Sequence, residues 1–267
     1  MKKIIVSCAV IASLVACKKD CDKCQNNECN PAPTDSTYIC KTDLSKGLLA
    51  YYPFTGNFND ASGNGNNATA QKGAYLATDY MGRASSSAGF DGYDDYLIVP
   101  GSSKLNSDTF TISVQVMVNS INRRHYVFSR ANFENATGVM SGIGVENTTN
   151  NKFSFGVVSN TEDCSAVSNS TNLYGIYANN TIQPARWYNI VASFAGGVQK
   201  YYINGVLQGS FTRSFTKTKQ CSNSNLVIGG WWKNDITSID GKIDEVRLYN
   251  RVLTDCEISS LSETFKD

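Results

Sequence analysis

The chain holds a single histidine, His125, in the run Arg123-Arg124-His125-Tyr126. A base, two cations and a phenol on one short segment could serve acid–base or lyase chemistry. A serine triad would have to rest on this one imidazole, and no Gly-x-Ser-x-Gly turn is present to expose a nucleophile. A zinc site built on histidines lacks its ligands. Hydrolysis of a glycosidic bond needs two carboxyl groups, about 5–5.5 Å apart for the retaining route. Asp94 and Asp95 are adjacent, so on a strand they point to opposite faces. Asp240, Asp244 and Glu245 form the other acidic cluster, but their spacing does not put them on one face. Cys21-x-x-Cys24 offers a metal or redox pair, yet it has no second such pair and no βαβ surroundings. The expectation is a protein that is not an enzyme, with no catalytic residue, whose lone histidine is a surface or groove residue.

The elements that would carry these residues are strands. Charged residues make up only 18% of the 267, while Tyr, Phe and Gly number 14, 12 and 21. That composition favours strands and turns over helices. A net charge of +1 excludes bulk electrostatic binding to nucleic acid. Phe110 to Val118 alternates with period two, placing Phe110, Ile112, Val114 and Val116 on one face. Strands are also predicted over 48–54, 96–99, 125–129, 139–145, 153–158, 187–194, 198–203, 206–211, 226–229 and 241–249. Asn204-Gly205 joins two of them as a type I′ hairpin turn. One helix is predicted, over 255–261, with Thr254 and Glu257 as a capping box. About a dozen strands around one helix predict an all-β, two-sheet antiparallel sandwich with one short C-terminal helix.

The N-terminus reads as an address. Lys2 and Lys3 precede an apolar run to Val15 that is too short to span a bilayer. Leu14-Val15-Ala16-Cys17 resembles the lipobox of bacterial lipoproteins. This implies a signal peptide over 1–16 and acyl chains on Cys17, with the lipid as the one contact to membrane. Lys18 in the second mature position implies the outer membrane of a diderm cell envelope. Lys18-Lys19-Asp20 resembles a surface-display signal. Losing Lys2 and Lys3 turns the net charge from +1 to −1. Residues 17–46, rich in Lys, Asp, Asn and Pro, are expected to be a flexible tether carrying Cys21, Cys24, Cys29 and Cys40. The predicted domain is 47–267.

Five segments together resemble the laminin-G-like jelly roll of the concanavalin A-like lectin and glucanase superfamily: Gly47 to Asn67, Phe90-Asp91-Gly92-Tyr93-Asp94-Asp95-Tyr96-Leu97, Phe110-Thr111-Ile112-Ser113, Tyr201-Tyr202-Ile203-Asn204-Gly205, and Gly241 to Arg251. They follow the family's order over roughly 47–262. One departure is Gln115, which stands where the family usually has Trp. The resemblance implies a jelly roll with its first and last strands side by side, pairing Cys40 with Cys256, and Cys164 with Cys221 across neighbouring loops. It implies a structural Ca²⁺ on the oxygens of Asp60, Asn57 and Asn64, with Asp244 as the family's acidic position. The plain alternative is that Asp60 and Asp244 satisfy local backbone N–H groups. It also implies glycan binding, for which Trp231, Trp232 and Asn234 are the leading candidates, with Tyr126, His125 and Arg124 on a strand edging the same groove. A protein-binding or adhesion domain, facing an envelope or host surface protein, is the alternative. The family's catalytic carboxylate triplet, Glu-x-Asp-x-x-Glu, is absent.

Overall fold

The computed structural model describes residues 42–121, 123–135, 140–146, 151–165, 174–179, 181–231 and 237–265. The chain divides into two units, residues 1–39 and 40–267, and the described residues belong to the second. Cys17, Cys21, Cys24, Cys29, Cys40, Trp232 and Asn234 lie outside the described residues.

In chain order the strands are β1 (Leu48–Tyr52), β2 (Thr69–Gln71), β3 (Tyr75–Ala77), β4 (Ser87–Asp91), β5 (Tyr96–Val99), β6 (Phe110–Val118), β7 (His125–Ala131) and β8 (Ser141–Glu146). There follow β9 (Lys152–Val157), β10 (Tyr174–Tyr177), β11 (Trp187–Ala195), β12 (Val198–Ile203), β13 (Val206–Thr212), β14 (Asn225–Ile228) and β15 (Asp240–Tyr249), then the helix α1 (Asp255–Ser262). The first sheet runs β13-β12-β11-β6-β15-β4-β3, with β1 also on β15; the second runs β10-β9-β8-β7-β14-β5-β2. All pairings are antiparallel. This is a jelly-roll sandwich.

The period-two face of β6 is buried as its pattern requires: Ile112, Val114 and Val116 meet Phe128, Ile143, Phe155, Leu226 and Ile228 of the other sheet in one core. Gln115, on the opposite face, pairs with Asn189 of β11 and Asp244 of β15. The departure from Trp therefore sits on the outer face of the first sheet and leaves the core untouched.

β15 is paired along both edges. One edge holds β6 throughout; the other holds β4 over Asp240–Ile243 and β1 over Val246–Tyr249. A bulge between Asp244 and Arg247 marks the handover, and Glu245 takes a positive φ of 53° there. Asp244 Oδ1 accepts the Glu245 N–H at 2.7 Å. At the start of β15, a Cβ on Gly241 would fall inside the Met117 carbonyl of β6.

The helix begins as predicted. Thr254 Oγ1 accepts the Glu257 N–H at 3.2 Å, and Glu257 returns a carboxylate oxygen to the Thr254 N–H at 2.8 Å. The same carboxylate takes Arg251 at 2.6 Å, whose guanidinium also donates to the carbonyls of Lys46 and Asp43. The hydrogen bonds from Arg251, against burial, hold Glu257 down at about 2.

Four strands were not read from the sequence: β2, β3, β4 and β10. β2 and β3 have only three residues each. β4 is Ser-Ala-Gly-Phe-Asp, poor in β-branched residues, because the Tyr75 ring of β3 lies against Gly89. The first strand stops at Tyr52 rather than 54, since Pro53 cannot donate to a ladder and Phe54 turns to a φ of 48°. Cys164 and Cys221 form a disulfide with a Cα separation of 5.8 Å. Cys256 is also disulfide-bonded.

Gly241→Ala is expected to lower stability by roughly 2–4 kcal/mol, because backbone must move where β15 meets β6. Urea denaturation monitored by circular dichroism reads it, and a loss below about 0.5 kcal/mol would contradict the close approach.

Candidate functional site

The outer face of the second sheet is assembled by register. Tyr126 on β7 pairs with Gly144 on β8, Gly144 with Ser154 on β9, and Ser154 with Tyr177 on β10. Paired residues share a face, so these four form one row across four strands. The next row is Ser129, Gly142, Gly156 and Gly175. With neighbouring strands about 4.8 Å apart, the two tyrosines stand about 14 Å apart at the backbone. Between them the floor is glycine and serine. A Cβ on Gly175 would meet open space.

Tyr177 is 55% exposed. Tyr126 is half-buried and stacks on Trp231, with ring centroids 5.4 Å apart and 29° between planes. Trp231 in turn packs on Ala131 and Val158. The result is a shallow trough with an aromatic wall at each side. Trp231 and Tyr126, predicted from sequence as separate candidates, are one stacked unit here. Tyr177 was missed, because Tyr174-Gly175-Ile176-Tyr177 is short and its partner strand is set only by tertiary pairing. Its alternation was the available signal.

The expectation for His125 requires correction. β7 lies between β8 and β14, and of Arg124, His125 and Tyr126 it is Tyr126 that stands beside Trp231. His125 is fully buried. Its Nε2–H donates to the Ser120 carbonyl at 2.6 Å, and Nδ1 accepts the Asp240 N–H at 3.4 Å. Burial, with the Arg123 charge adding to it, pushes the imidazole below its usual range. His125 is a neutral clip between two loops. Arg124 is exposed, ahead of the strand. Arg123 donates to the carbonyls of Gly92 and Ser238.

The expected calcium set also divides. Asp60 Oδ1 accepts the N–H groups of Tyr51 (3.0 Å) and Ser62 (2.9 Å), and Oδ2 accepts that of Asn66 (2.9 Å). Burial works to raise this carboxyl, but those hydrogen bonds hold it below its usual value. Asn64 Nδ2 donates to the carbonyls of Leu48 and Leu49, and Asn57 Oδ1 accepts the Asn59 N–H. These side chains organise their own loop. Asp244 lies apart from them, 1% exposed on the outer face of the first sheet. Burial first, then the Glu245 charge, raises it to about 8. Asp60, Asn57 and Asn64 thus share one loop, while Asp244 stands on β15.

Asp91, Asp94 and Asp95 do converge: one oxygen of each lies within 4.8 Å of the others. The expectation that Asp94 and Asp95 diverge fails, because Gly92 takes a φ of 81° and the segment bends instead of running as a strand. Burial and the charges of Asp91 and Asp94 hold Asp95 above its usual range, against the Asp91 N–H that it accepts. Tyr93, between them, is 82% exposed.

A family model described as the concanavalin A-like lectin/glucanases superfamily matches residues 91–259. The chain belongs to that superfamily. No curated protein matches it. Among solved structures, domain 4 of an extracellular GH43 arabinanase from Geobacillus stearothermophilus, in complex with arabinotriose, is similar at 20% identity and a TM-score of 0.64. It covers 80% of this chain and 98% of that one. The binding domain of Paraclostridial Mosquitocidal Protein 1 is similar at 16% identity and a TM-score of 0.64, over 84% of this chain and 53% of that one. The botulinum neurotoxin serotype D ligand-binding domain, in complex with N-acetylneuraminic acid, is similar at 14% identity and a TM-score of 0.59, over 82% and 51%. This superfamily chain thus spans about half of each toxin chain.

The buried His125 predicts acid sensitivity. An unfolded chain takes up this proton near pH 6.5, the folded chain only below that, so the contribution is whole above about 6.5 and declines as pH falls. The wild type should lose melting temperature between about pH 7 and 5.5 more steeply than His125→Gln, read by differential scanning fluorimetry. Parallel slopes would contradict the assignment.

Proposed function

We propose that this domain is an exported binding module that takes glycans in the trough on the outer face of the second sheet. The observation that carries the reading is the row Tyr126, Gly144, Ser154, Tyr177: two aromatics bracketing a floor too small to fill the space between them. Sugar rings offer C–H faces to aromatic planes and hydroxyls to serine and backbone groups, which is what the trough provides. The arabinanase domain solved with arabinotriose and the toxin domain solved with N-acetylneuraminic acid support the reading. No reaction is assigned, since the one imidazole is spent on loop backbone.

The lipobox reading adds an acyl anchor at Cys17, the tether of 17–46, and an outer-membrane site in a diderm envelope. Trp232 and Asn234 stay in the proposal as neighbours of Trp231 in sequence. A structural Ca²⁺ also stays in it, on Asp60, Asn57 and Asn64 with Asp244, and the converging carboxylates of Asp91, Asp94 and Asp95 are a second place for it. Protein binding is the second reading, favoured by β13, an outermost strand on which Val206, Leu207 and Phe211 are 63%, 47% and 48% exposed.

A glycan array and a panel of envelope and host surface proteins separate the two readings. Glycan binding is expected, weakened by about 1–3 kcal/mol in Tyr177→Ala and Trp231→Ala with the fold retained. Protein capture with no glycan bound would reverse the order. Melting temperature should fall in EDTA and recover with added Ca²⁺; an unchanged value would remove the metal from the proposal.

A further inference from the structure

At the end of the sandwich opposite His125 lies a buried arginine. Arg130 is the penultimate residue of β7 and is 3% exposed. Its guanidinium donates to the Leu105 carbonyl at 2.8 Å, to Asn106 Oδ1 at 3.0 Å and to the Ser224 carbonyl at 3.5 Å, and it lies 3.6 Å from Met140 Sδ. All of these are neutral. No carboxylate among the described residues pairs with it. Its Nε–H has no acceptor. An arginine keeps its proton even here, so the charge is real and uncompensated. A buried charge without a partner is strongly destabilising.

Arg130 lines a recess between the sheets with a cavity volume of about 20 Å³, room for one small occupant. The polar lining is Ser107, Ser141, Thr218 and Gln220; Phe110 and Leu248 supply apolar wall. Ser107 Oγ donates to the Thr109 carbonyl, but hydroxyls rotate, so Ser141 and Thr218 can turn a proton toward a negative charge. The lining contains no carboxylate.

We propose that this recess binds a small inorganic anion of the chloride class against Arg130. A monatomic anion suits the space. It takes the free Nε–H and the hydroxyl protons, accepts apolar contact on its remaining side, and neutralises the guanidinium. The site is independent of the glycan trough. Gln220 Oε1, also without a donor, makes a bridging water the rival occupant, since one water could accept from Nε–H and donate to Oε1. Water would leave the charge unbalanced.

Two experiments on the full chain decide between them. Thermal melts are run in increasing chloride against gluconate, at constant ionic strength. The wild type should gain melting temperature with chloride and saturate, while Ser141→Ala should need several-fold more chloride for the same gain. Crystals soaked in bromide should show an anomalous peak within hydrogen-bonding reach of Arg130 Nε. Equal melts in both salts, or a bromide-free peak that refines as water, would overturn the proposal. The soak needs no variant, so a failure of Ser141→Ala to fold does not rescue it.

Discussion

The structure depends on one strand being hydrogen-bonded along both of its edges. β15 is the last strand, yet it lies inside the first sheet, with β6 on one side and β4 and β1 on the other. A ten-residue strand cannot give two partners of different course the same straight ladder. The bulge between Asp244 and Arg247 resolves the conflict by shifting register at the point where β4 gives way to β1. The cost is a non-glycine residue, Glu245, at positive φ. It is held there by the Asp244 carboxyl on its N–H, and its own carboxylate is held by Tyr51 and Arg247. Because β15 must find β1 and β4 from far along the chain, closing the sheet carries the largest loop-closure entropy of any pairing here.

The chain ends are secured by a second device. Arg251 reaches from the end of β15 to the carbonyls of Asp43 and Lys46 and to the capping glutamate of α1. One guanidinium thereby links the entry to β1, the exit from β15 and the helix start. The helix in turn covers Val191, Tyr202 and Tyr249 on the outer face of the first sheet. The trough lies on the other sheet, on the outer face of β7 to β10.

The trough and the loop ends divide the labour. Side chains that looked available for chemistry in the sequence are used to hold loops. His125 clips 120 to 240, Asp60 gathers three backbone N–H groups, and Arg123 fixes 92 and 238. Polar groups buried in a sandwich must be hydrogen-bonded, and loops are rich in unpaired backbone groups. The open face is instead lined by small residues whose value lies in what they leave vacant.

The all-β class, the alternating core face of β6, the Asn204-Gly205 turn and the capped helix were legible in the sequence, because period-two burial, turn geometry and capping are local. The family resemblance was legible in Gly241 and the residues after it, and the close approach to Met117 accounts for that glycine. Tertiary pairing alone decided the rest. It made strands of 69–71, 75–77, 87–91 and 174–177, which are too short or too poor in β-branched residues to stand out alone. It buried His125, brought Asp91 to Asp94 and Asp95, separated Asp244 from Asp60, and set Tyr177 opposite Tyr126. A side chain's neighbours across a sheet depend on register between segments far apart in the chain, and register is a property of the folded whole.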